Sequence, residues 1–340
     1  MLKKILYGLL ILTLLFLAYH YPSVIYGLGQ AKGQIKVLYH AQDIEQLMEE
    51  GNMADSIKDK FIYIQEVKSF AQDSLGLSPS KNYTTFYDQK GKAILWVVTA
   101  SPEFEIEAYE WKFPIAGKFS YKGYFDFKKA EKEAEELRKK GFDTDISEVS
   151  AWSTLGFFKD PILSSMLQRN EGSLAELIIH ELTHATVYRR NQVQFNENFA
   201  TFVGKEGAKR FMEYKFGKNA KEITTYFKSQ DRQLFYREFM HRETTSLDSL
   251  YHTFEGDMSL EEKQQLKARQ INKIKERLAH SIFYDNSEIG EKRVANFDIN
   301  NAYLSGFKTY HEKQDIFSER LENEFKGDLK AFIKAIKEEK

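Results

Sequence analysis

Residues 178–204 read IIHELTHATVYRRNQVQFNENFATFVG, and this stretch limits the fold more than any other. His180 and His184 are four apart, so on a helix both imidazoles leave the same face and can meet at one point. Leu174, Leu177, Ile178, Ile179, Leu182 and Ala185 surround them, which predicts a buried helix. A buried histidine or glutamate without a partner is costly. Three such groups in one helix call for a compensating partner, and a divalent cation is the simplest. The competing reading is a set of core histidines paired with nearby carboxylates. With 8 His and 50 acidic residues in 340, chance supplies about 0.03 such patterns.

The remaining parts of a metal centre can be placed by spacing. Catalytic zinc takes three protein ligands and leaves one position open. Glu197 follows His184 after twelve residues, enough to end one helix and start another. In that second helix Glu197, Ala200, Thr201 and Gly204 share a face, and the small residues allow close approach. Glu181 lies one residue round the helix from His180, where it can reach a metal-bound water without binding the ion. The expected chemistry is hydrolysis: Zn2+, one ion, lowers the pKa of its water toward ~7 and polarises a carbonyl. Glu181 then acts as general base. Ser173 to Glu176 spell a capping box at the start of the His helix.

The chain of 340 residues is 42% hydrophobic and 29% charged, with a formal net charge of -1. Such a balance gives no global field for nucleic acid. The absence of cysteine removes disulfides, thiolate metal sites and thiol nucleophiles. At the N-terminus Lys3 and Lys4 precede an apolar run from Ile5 to Tyr19, and Pro22 is expected to end its helix. No small-x-small cleavage site follows. The segment therefore reads as an uncleaved signal anchor, with the rest of the chain outside the cytoplasm.

Residues 33–77 read as two helices, and "YTTFYDQ", "AILWVVTAS" and "FEIEAYEWKFP" as strands of a small sheet. Residues 127–140 form an amphipathic helix ended by Gly141, and "FDTDISEVSAWSTLGFF" returns to extended structure. Helices are expected from about Asn196 to Phe216, over 219–284 with a break at "EGDMS", and twice more over 291–338. The fold class is α+β: a small sheet with active-site helices, then a mostly helical second half. The expected division is residues 1–25 as anchor, 26–216 as the zinc-bearing core, and 217–340 as a helical region packed on it.

"HELTH" with "FNENFATFV" resembles the gluzincin peptidases, whose third ligand lies in an Asn-Glu-x-x-Ala type motif; here that is Asn196 to Ala200. The gap to the glutamate is shorter than in the familiar aminopeptidases of that group. A closer resemblance is to a bacterial family of predicted, membrane-associated aminopeptidases. It rests on Tyr26, Gln30, Gly33-Gln34, residues 113–130, 151–167 and 300–310, and the zinc motif. The lipobox cysteine is missing, so attachment would be by the hydrophobic segment. The resemblance implies a zinc peptidase acting on a peptide or protein substrate at its N-terminus.

On that reading "SEVSAWSTLGFF" is an edge strand that binds the substrate backbone. Asp160 is available for the substrate's free amine. Asn301, in the late motif, is a second substrate-binding candidate. Tyr310 is nominated to stabilise the oxyanion, with His241, His252 and His311 as competitors. A zinc endoprotease and a non-catalytic, membrane-tethered metal-binding protein both remain open alternatives.

Overall fold

The computed structural model describes residues 2–51, 53–114, 117–149, 159–190, 192–281, 292, 294–308 and 314–339. In chain order the first elements are helices α1 (Leu2–Tyr19) and α2 (Tyr21–His40), strand β1 (Gln42–Asp43), and helices α3 (Ile44–Glu49) and α4 (Asp55–Asp73). Strands β2 (Thr85–Tyr87), β3 (Trp96–Pro102), β4 (Trp111–Phe113), β5 (Gly117–Phe119) and β6 (Lys122–Tyr124) lead to α5 (Phe127–Arg138) and β7 (Phe142–Glu148). Then come β8 (Ile162–Leu163), α6 (Glu171–His184), α7 (Val193–Phe216), α8 (Lys221–Tyr251) and α9 (Leu260–Ala279). Three shorter helices follow: Asn301–Ser305, Gln314–Phe325 and Leu329–Glu338. The class is mixed α+β, mostly helical. The strands form three small sheets rather than the single one expected.

Contacts group the chain into two interleaved units. The first comprises Met1–Val37, Ala93–Val149 and Arg237–Thr309; the second comprises Leu38–Lys92, Ser150–Tyr236 and Tyr310–Lys340. In the second unit β2 pairs with β8 across separate segments; in the first, Lys267 Nζ donates to Asp143 Oδ2 at 2.6 Å across two of its segments. The sheet of the first unit runs β6-β3-β7, all antiparallel, with β3 and β7 in register from Trp96↔Glu148 to Pro102↔Phe142. Val98 and Ala100 of β3 face Ala130, Ala134 and Leu137 of α5, the helical stripe that the sequence spacing predicts. Asp126 caps α5 and Gly141 follows it at φ 85, a conformation that favours glycine. Glu133 on α5 accepts from Trp111 Nε1 at 2.8 Å, Lys122 Nζ at 2.8 Å and Tyr124 Oη at 2.7 Å.

Helix α2 is seated in this unit by the residues that carry the early resemblance. Gln30 Nε2 donates to the Gly123 carbonyl at 2.7 Å, and Tyr26 stacks on Phe113. A Cβ at Gly33 would lie 2.2 Å from the Phe125 ring, so only glycine allows this approach. Pro22 does not end the first helix. The break falls at His20, and Pro22 sits in the first turn of α2, where its missing N–H costs no helical bond. Among the described residues no single helix is long and apolar enough to cross a membrane, whereas a single anchor helix was expected. Residues 3–19 and 21–40 pass that test only together, as a pair bent by 87°.

The second unit carries the histidine motif. Its sheet, β1-β2-β8, is small, and β2 runs parallel to β8. The core lies among α4, α6 and α7. Helix α4 packs on α6, and Phe61, Ile64 and Val67 of the first and Leu174, Ile178, Ile179 and Leu182 of the second are all 0% exposed. Each such side chain contributes about 1.5–3 kcal/mol when fully buried. Four on one face hold α6 firmly enough to offset burial of a polar neighbour. The other side of α7 is aromatic: Phe199 and Phe202 contact Phe317 and Phe332 of the C-terminal helices.

Candidate metal centre

Helix α6 starts three residues earlier than the capping-box reading required. Asn170 is the N-cap, its side-chain oxygen accepting from Ser173 N at 2.9 Å. Asparagine is as good a cap as serine, and the extra turn lets Glu171 and Gly172 join the helix. Glu176 is thereby released from capping. Its Oε2 accepts instead from Tyr226 Oη at 3.0 Å and Gln230 Nε2 at 2.7 Å.

Two turns on, the helical spacing brings the imidazoles together. His180 Nε2 and His184 Nε2 are 3.1 Å apart. Glu197, on α7, places one carboxylate oxygen 3.5 Å from His180 Nε2 and the other 3.5 Å from His184 Nε2. Among the described residues these three are the one group of metal-ligating side chains with converging atoms. A tetrahedral ion with bonds of about 2.0–2.2 Å separates its ligands by roughly 3.3–3.5 Å. The donor set, two nitrogens and a carboxylate, and its spacing therefore fit a zinc-type ion.

Electrostatics favour the same use. Hydrogen bonding to His180 and His184 holds the Glu197 carboxyl far below its usual range, so it is anionic without any deprotonation step. Desolvation alone lowers the pKa of His184, but Glu197 and the charge of Glu181 together outweigh it, and the net shift is upward. A metal ion would replace that proton as the positive partner. The His184 side chain is 6% exposed, whereas Glu197 is 53% exposed, so the site opens on the Glu197 side. His184 Nδ1 is buried with no hydrogen-bond partner among the described residues. Such an atom costs about 1–3 kcal/mol, which ligation at Nε2 would have to offset.

What brings α7 close enough is a stripe of small residues. A Cβ at Gly204 would stand 3.1 Å from the Glu176 carbonyl oxygen and 3.2 Å from His180 Cβ. At Gly207 it would stand 2.8 Å from Leu75 Cδ1 and 2.9 Å from Ile179 Cγ2. The turn between the two helices is held by Asn196, the first letter of the Asn-Glu-x-x-Ala motif, to which the sequence assigns no structural task. Asn196 is 3% exposed; Arg189 N donates to its Oδ1 at 2.8 Å, and its Nδ2 donates to the Arg189 carbonyl at 2.8 Å. An asparagine immediately before the ligand, in a connection this short, is the signal that could have flagged it. Asn196→Ala should cost about 2 kcal/mol, since it removes two hydrogen bonds and leaves buried backbone groups unmatched. The midpoint of urea unfolding checks this; an unchanged midpoint means the clamp is dispensable.

Glu181 is half-buried and sits one residue beyond His180. Burial pushes the Tyr83 phenol well above its usual pKa, and the charges of Glu181 and Asp160 add to the push. Both carboxylates thus lie within electrostatic reach of Tyr83. Asp160 is 0% exposed; Asn82 Nδ2 approaches its Oδ2 at 3.4 Å, and its carbonyl accepts from Tyr83 N at 2.7 Å. Asn301 belongs to the first unit, also at 0% exposure. Its Nδ2 donates to the carbonyls of Pro102 at 2.8 Å, Glu103 at 2.9 Å and Glu105 at 3.3 Å. Tyr310, His311 and residues 150–158 of the expected edge strand lie outside the described residues. His241 and His252 each bond a backbone carbonyl in the first unit.

No curated protein matches the chain. No solved structure matches it. A family model described as "Putative aminopeptidase" matches residues 25–340, so the chain belongs to that family.

Proposed function

We propose that this chain is a gluzincin-type zinc metallopeptidase that removes residues from peptide N-termini. The observation that carries the reading is the triangle of His180, His184 and Glu197, with nitrogen and oxygen atoms 3.1–3.5 Å apart. These three side chains would hold the zinc ion. When bound, zinc supplies Lewis acidity toward the scissile carbonyl and makes water a nucleophile near neutral pH. The chain's own residues do the rest. Glu181, adjacent to His180 and half-buried, takes the proton of the attacking water and delivers it to the leaving amine. Asn196 and Gly204 hold Glu197 against α6, and the packing of α6 leaves the His184 side chain only 6% exposed. Zinc content of the purified protein, with chelator-sensitive release of amino acids from free-amine peptides, tests the proposal. No bound divalent metal together with no hydrolysis after zinc addition would end it.

The chain is proposed to work at a membrane surface outside the cytoplasm. Ile5, Leu6, Leu10, Leu12 and Leu15 of α1 are 51–64% exposed, an apolar surface of the kind that meets lipid. Lys3 and Lys4 precede it, an arrangement that keeps the N-terminus inside. Deleting residues 2–19 spares Tyr26, Gln30 and Gly33, which seat α2. The truncated protein should leave the membrane fraction while retaining its metal. Continued sedimentation with membranes would remove the anchoring role of α1.

A further inference from the structure

The capping box expected at Ser173 to Glu176 does not form, and Glu176 has no capping task. It lies four residues before His180, so Glu176, His180 and His184 stand in one column on α6, with consecutive members about 6 Å apart along the axis. Two donors from α8, Tyr226 and Gln230, converge on its Oε2. Its Oε1 has no hydrogen-bond donor among the described residues and is not a buried orphan. The arrangement is built into the packing. Tyr226 is 2% exposed and lies against Gly172, where a Cβ would be 2.4 Å from the ring. A side chain at 172 would dislodge the ring that fixes the carboxylate.

We infer that Glu176 is the group that receives the N-terminal ammonium of the peptide substrate. The inference rests on the peptidase reading above and specifies the substrate as a peptide with a free, protonated amine. In an N-terminal residue the amine nitrogen is two bonds from the carbonyl carbon that must be attacked. The Glu176 carboxylate lies within electrostatic reach of His180, and four residues of helix span about 6 Å, a distance that a nitrogen two bonds from a carbonyl at the metal can bridge. Two donors on one oxygen orient the carboxylate and leave the other for the ligand. Burial pushes the Glu176 carboxyl above its usual pKa, with Lys205 and His180 acting in the opposite direction. A cationic ligand favours the ionised form still further. Asp160, the earlier candidate for the amine, is fully buried and bonded through Asn82.

The test compares a tripeptide bearing a free N-terminus with its N-acetylated counterpart. Binding is measured by calorimetry on the full-length Glu181→Gln protein, where no turnover intervenes. That protein should prefer the free amine by tenfold or more. Adding Glu176→Gln, whose amide oxygen still accepts from Tyr226 and Gln230, should abolish the preference by weakening the free-amine peptide alone. Glu176→Asp should restore part of it. In otherwise unaltered enzyme, Glu176→Gln should raise KM for an aminoacyl reporter at least tenfold with a smaller change in kcat. Equal weakening of both peptides, an untouched preference, or loss of the preference in Asp160→Asn instead would each overturn the assignment. Absence of zinc or of hydrolysis would count against the peptidase reading, while the binding comparison still decides the role of Glu176.

Discussion

Glu181→Gln should lower kcat by about 10²- to 10⁴-fold, the range for loss of a positioned proton-transfer group. Zinc content and unfolding midpoint should remain at the level of the unaltered protein. The reasoning is geometric. His180, His184 and Glu197 form the converging group, and Glu181 is not a member of it. Removing its charge therefore leaves the donor set whole. Gln is isosteric, so packing around the half-buried position is kept. Activity on free-amine peptides, measured beside metal content, separates two failures. A variant that loses metal together with activity would make Glu181 a structural support for the site. A variant that keeps both would show that the proton is moved by another group, or that the reaction is of a different kind.

The parts of this molecule legible in the sequence are those governed by local rules. The i, i+4 spacing of His180 and His184 dictates that their rings meet on a helix, and the nitrogens lie 3.1 Å apart. The stripe of Ala130, Ala134 and Leu137 and the turn at Gly141 are likewise local. The small residues after Glu197 pointed to close helix contact, and Gly204 makes it. What the sequence hid depends on choices between near-equal local options or on distant partners. Asn170 and Ser173 are comparable caps, and the longer helix wins where Gly172 can accept Tyr226. Pro22 fits a helix end and a helix start equally well, and only the bend at His20 decides. The interleaving of the two units rests on contacts between distant segments, such as β2 with β8 and Asn301 with the Pro102 carbonyl, that no local pattern specifies. Asn196 was visible as a motif letter, but its clamp on Arg189 exists only once the turn is folded.

Gly204→Ala should lower metal affinity by at least about tenfold and stability by about 1–3 kcal/mol, the usual cost of overpacking a tight core. The added methyl would meet the Glu176 carbonyl at 3.1 Å and His180 Cβ at 3.2 Å. Neither is the free end of a flexible side chain, so relief has to come from movement of α7 away from α6. Glu197 lies seven residues earlier on the same face of α7 and travels with it. Its oxygens stand 3.5 Å from both imidazole nitrogens, and a few tenths of an ångström is a large part of what separates ligation from a loose ion pair. Helix propensity works against this effect, because alanine is about 1 kcal/mol better than glycine in a helix interior. A net loss would therefore mean that interhelical contact outweighs propensity. Gly27→Ala is the matched control, a helical glycine with nothing within 4 Å of the new methyl. Titration with zinc and thermal unfolding of both variants decide the matter. If Gly204→Ala binds zinc as tightly as the control, the spacing of α6 and α7 has slack, and the position of Glu197 must be set by the Asn196 clamp alone.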